Sequence, residues 1–125
     1  MEKQLNRRFL CMVIVAVLFL SMVMIISPHT AAATPPSEVA LAYDKATKTL
    51  SVTITHTVSD PKSHYIKTVV LMSNGTVIQS ATYDSQPTAD TFTYKYAVDA
   101  ITGTELSARA ECVYFGSDTG TVTAP

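Results

Sequence analysis

Leu50-Ser51-Val52-Thr53-Ile54-Thr55-His56 alternates apolar and polar residues without a break. Strand side chains point to opposite faces in turn, so Leu50, Val52 and Ile54 share one face and His56 continues their row. No helical spacing of three and four fits this stretch. The same alternation recurs further along. Leu106, Ala108, Ala110 and Cys112 share one row, with Glu105, Ser107, Arg109 and Glu111 opposite. Phe92, Tyr94, Tyr96 and Val98 form another apolar row.

Working outward, β-branched and aromatic runs are separated by turn residues. Asp44-Lys45-Ala46-Thr47-Lys48, Ser73-Asn74-Gly75, Asp84-Ser85-Gln86-Pro87 and Phe115-Gly116-Ser117-Asp118 punctuate the chain. Asn-Gly is a strong signal for a tight hairpin. The pattern predicts strands over 38–44, 48–57, 64–72, 76–83, 90–98, 104–114 and 120–124. About seven short strands with such turns indicate an all-β, immunoglobulin-like β-sandwich.

The N-terminal end reads differently. Lys3, Arg7 and Arg8 precede an uncharged apolar run from Phe9 to Ile26, and Ala31-Ala32-Ala33 follows. A basic start, an apolar middle and small residues at the exit describe a signal peptide, with cleavage expected after Ala33. The run is also long enough to serve as an uncleaved anchor helix. Under either reading the basic start stays in the cytoplasm and the domain lies outside, secreted or held to the membrane. The organisation expected is therefore a signal or anchor helix over 1–33, a stiff linker over 34–37 and the sandwich domain over 38–125. The linker expectation rests on Thr34-Pro35-Pro36-Ser37.

The whole chain carries nine Lys+Arg and ten Asp+Glu. Lys3, Arg7, Arg8 and Glu2 lie in the leader, which leaves six basic and nine acidic residues beyond it. A mildly acidic domain without Trp and without a basic stripe argues against a nucleic-acid partner. No Gly-x-Ser-x-Gly elbow, phosphate loop or His-Glu-x-x-His is present. Asp60 and Asp84 read as solvated turn residues. Asn74-Gly75-Thr76 matches a glycosylation sequon, although the hairpin already accounts for it.

Cys112 is the single cysteine beyond the leader, so the domain contains no internal disulfide. A lone thiol outside the cytoplasm is buried, bound to metal or paired with another chain. His56, His64 and Cys112 all fall on inward rows near strand ends, where a sandwich can gather them at one pole. Two imidazoles and a thiolate suit iron, zinc or copper. Buried cysteines also merely fill space, and strand-end histidines are commonly surface residues.

The stretch from His56 through Val58, Asp60 and Pro61 to His64-Tyr65-Ile66, with Ala108-Arg109-Ala110-Glu111-Cys112 and Gly116, resembles the superoxide reductase (neelaredoxin/desulfoferrodoxin) iron domain. That family carries His-Pro-x-x-x-x-His-Tyr/Trp-Ile and Ala-Arg-x-x-Cys-Asn-x-His-Gly segments on an immunoglobulin-like sandwich. The resemblance implies a mononuclear non-haem iron, with His56 and His64 as equatorial ligands and Cys112 as the axial thiolate. It implies superoxide and an electron donor as partners, and superoxide reduction as the activity. The interval from His56 to His64 is two residues longer than the family's. The family's remaining histidines fall on Phe115 and on Glu38, and its lysine falls on Ser37. His56, His64, Cys112 and Glu38 therefore form the expected ligand set, which zinc fits as well as iron.

The alternative is a metal-free extracytoplasmic binding or structural module, with the Phe115 ring filling the space of the missing ligand. A blue-copper carrier ranks below both, because neither His nor Met follows Cys112.

Overall fold

A computed structural model describes residues 34–125. The expected leader over 1–33, with its helix and cleavage point, lies outside the described residues. Seven strands follow: β1 Glu38–Asp44, β2 Thr49–Thr55, β3 Ile66–Ser73, β4 Thr76–Thr82, β5 Thr91–Ala97, β6 Glu105–Cys112 and β7 Ser117–Thr123. They form two antiparallel sheets, one ordered β1-β2-β5 and the other β4-β3-β6-β7. The domain is all-β, and the two-layer sandwich matches the alternation in the sequence.

The apolar rows meet between the sheets. Leu50, Val52 and Ile54 face inward from β2, while Val69 and Leu71 of β3 and Leu106, Ala108 and Ala110 of β6 face them, all fully buried. Each large aliphatic side chain buried this way contributes roughly 1.5–3 kcal/mol. Tyr96 is buried and Tyr94 packs partly against the same core, as their row requires. Ser107 departs from the alternation, since it faces the polar side of β6 and is buried nonetheless.

Three expected boundaries shift in ways that matter for the site. β3 begins at Ile66, so His64 stands in the turn before the strand instead of opening it. β6 ends at Cys112, because the chain turns at once. There the Cys112 amide donates to Gly116 O, and Phe115 and Gly116 both take positive φ, of 94° and 98°. β7 starts at Ser117, earlier than expected, because this turn is so short.

Thr34–Ser37 is more than a spacer. The Thr34 amide donates to Phe115 O, Pro36 is buried, and the Ser37 amide donates to Thr55 O. Gly116 makes this docking possible, since a Cβ there would meet Pro35 N at 2.7 Å.

Candidate metal centre

The register between β3 and β6 starts the site. Ile66 pairs with Cys112, and a bulge between Ile66 and Thr68 interrupts the ladder immediately afterwards. The Val113 amide donates to Tyr65 O at 3.0 Å, which extends the pairing past both strand ends. His64, two residues before Ile66, is thereby brought beside Cys112.

The turn before β3 is set by Asp60. Its carbonyl accepts the His64 amide at 2.9 Å, and its carboxylate accepts the Lys62 amide at 3.0 Å. The bond from the Lys62 amide, followed by that from the Ser63 side chain, holds the Asp60 carboxyl below the usual carboxylate range. Asp60 is thus a turn residue, as its sequence context predicts.

His56 follows the last residue of β2 and stays on the inward row, 3% exposed. Its amide donates to Asp90 O, which ties it to the chain entering β5. Its ring lies edge-on to that of His64, with centroids 4.8 Å apart, and Tyr114 also packs edge-on against His64.

The three expected donors come together: His56, His64 and Cys112 each offer a ligand atom within 4.8 Å of the others. His64 Nε2 lies 3.2 Å from Cys112 Sγ. The Tyr114 amide donates to the same sulfur at 3.4 Å. Burial, and next the neighbouring His56, lower the His64 pKa, which leaves the ring neutral and its lone pair available.

Two expected participants stand apart. Glu38 is exposed at the start of β1, paired with Thr55, and is not part of the donor group. Phe115 does not fill the space of a missing ligand. Its positive φ turns the ring outward, and it is 69% exposed.

Thr34 takes the central place. Its Oγ1 lies 3.0 Å from His64 Nε2 and 3.3 Å from Cys112 Sγ, and its carbonyl oxygen lies 3.1 Å from His56 Nε2. One residue therefore touches all three donors. Gln86, 4% exposed, stands behind His56. Its amide nitrogen Nε2 donates to His56 O at 2.9 Å and to Thr88 O at 2.8 Å, and its Oε1 lies 2.8 Å from His56 Nδ1. Neither residue was marked by the sequence. Thr34 sits at the junction with the leader, and Gln86 sits in a turn where polar residues are ordinarily solvated.

The donor set itself is suited to a transition metal. Thiolate and imidazole together select iron, zinc or copper over the hard, oxygen-preferring cations. A scan of family models and a search of curated proteins find nothing that matches the chain.

Proposed function

We propose that the domain is an extracytoplasmic metal-binding protein that holds one transition-metal ion through His56, His64 and Cys112. The single observation behind this reading is the convergence of two imidazoles and one buried thiol from three separate chain segments.

Iron is the metal this reading favours. The resemblance of the His56–His64 and Cys112 segments to the superoxide reductase iron domain supports it. Iron held there would supply a one-electron couple for the reduction of superoxide, with an external electron donor as the reductant. His64 and His56 would hold it as nitrogen donors, and Cys112 would supply the thiolate, shielded from solvent by its burial.

The full chain, purified anaerobically, is expected to hold iron at close to one per chain and to gain a visible thiolate-to-iron absorption band on oxidation. Cys112→Ser is expected to abolish both. Absence of bound metal after reconstitution with ferrous iron and with zinc would overturn the proposal.

The metal-free binding module keeps one observation in its favour. Thr34 provides each of the three groups with a polar neighbour inside the protein. That reading requires the absence of metal under both reconstitutions.

A further inference from the structure

Gln86 has a fixed orientation. Its Nε2 faces two carbonyl oxygens, those of His56 and Thr88, at 2.9 and 2.8 Å. Turning the amide over would set an acceptor against both carbonyls, so the hydrogen-bond network decides which end is oxygen. Oε1 is therefore the atom facing His56 Nδ1 at 2.8 Å, and an amide oxygen only accepts.

This settles the tautomer of a neutral His56 ring. Nδ1 carries the hydrogen, and Nε2 carries the lone pair. Yet Nε2 faces the carbonyl oxygen of Thr34 at 3.1 Å, another acceptor. Two lone pairs confronted at that distance repel unless something positive lies between or beside them. Thr34 also touches His64 and Cys112, so the confrontation borders the donor group itself.

We propose that Gln86 is the positioning residue of the metal centre, locking His56 with Nδ1 protonated so that Nε2 is presented to a cation, next to the Thr34 carbonyl. The inference rests on the metal-binding reading above and deepens it. Ligating histidines ordinarily give their second N–H to a fixed acceptor, and loss of that acceptor costs about 10–100-fold in metal affinity. Gln86 suits this role because its own position is held from three sides. Its amide hydrogens bond two carbonyls, and its backbone N–H donates to Pro61 O at 3.0 Å.

The test uses the full chain and cobalt(II) alone as the probe, since the thiolate-to-cobalt band reports binding directly. Gln86→Met keeps the length of the side chain and removes the acceptor. It is expected to weaken cobalt binding about 10–100-fold. Nitrogen NMR of wild-type chain with labelled histidine, loaded with diamagnetic zinc in place of cobalt, is expected to show His56 with a protonated Nδ1 and no hydrogen on Nε2. This measurement needs no variant and stands even if Gln86→Met fails to fold.

Wild-type binding with Gln86→Met within twofold of it overturns the role of Gln86 and leaves the metal centre standing. A hydrogen on Nε2 of His56, alone or on both nitrogens, does the same. No cobalt band in wild type overturns the metal centre and this inference with it.

Discussion

Cys112 Sγ lies 3.2 Å from His64 Nε2, although 48 residues separate them along the chain. The contact depends on the Ile66–Cys112 pairing and on the turn held by Asp60. Replacing Cys112 by Ser removes the soft donor and keeps the shape. Metal affinity is expected to fall so far that the purified chain keeps no iron, with loss of the charge-transfer band. A direct titration of wild type against Cys112→Ser checks this, and equal affinities would contradict a thiolate ligand.

Gly116 is where the N-terminal segment lies down on the β6–β7 turn. A Cβ at this position meets Pro35 N at 2.7 Å, and the φ of 98° is one that L-residues rarely adopt. Gly116→Ala is expected to destabilise the domain by about 1–3 kcal/mol. It is also expected to push Thr34 away from the donors. Urea unfolding measures the first effect. Amide hydrogen exchange at Thr34, faster once its bond to Phe115 O is lost, measures the second.

Phe115 offers the opposite change. It holds a φ of 94° without the freedom of glycine, and its ring is mostly exposed. Phe115→Gly is expected to raise stability by about 1 kcal/mol, because backbone strain is relieved while little burial is lost. A lower urea midpoint would show that the ring contributes packing that its exposure hides.

The tyrosines packed on the core are expected to make stability fall in alkali. The Tyr83 and Tyr96 hydroxyls share a 2.7 Å hydrogen bond, and Tyr83 stacks on Tyr94 at 4.2 Å. Burial first, and the nearby Tyr83 second, push Tyr94 up to about 12. Tyr96 is raised further, by burial and then by its bond to Tyr83. The unfolded chain loses these protons near pH 10, before the folded one does. Their contribution is therefore complete below about pH 10 and is lost as pH rises from there towards the folded values. Urea midpoints at pH 9 and pH 11 test the sign. Tyr96→Phe should flatten the fall and cost about 1 kcal/mol at neutral pH.

Periodicity made the fold legible, because a half-buried strand has to alternate. Leu50-Val52-Ile54 and Leu106-Ala108-Ala110 lie on the inner face as their spacing demands. Strand ends were less legible, since they depend on hydrogen bonds that composition does not encode. The sequence sets His64 at the opening of β3 for this reason, whereas the strand starts two residues later, at Ile66. The inward rows marked the three donors, but distance in sequence hid what joins them. Gln86 looks like any polar turn residue until the loops around His56 close over it. Thr34 looks like linker until Gly116 lets Pro35 approach. Glu38 stands where the sequence resemblance sets a ligand, yet it is exposed at the start of β1.

His56 extends from β2, in one sheet, whereas His64 and Cys112 flank β3 and β6, in the other. A domain with a single thiol has no covalent staple of its own. An ion gripped from both layers would act as a rivet through them, so that the sheets could not peel apart at that end before a ligand let go. Wherever proteases sample every transient opening, such a rivet would lengthen the lifetime of the protein by slowing its unfolding, whatever else the ion does.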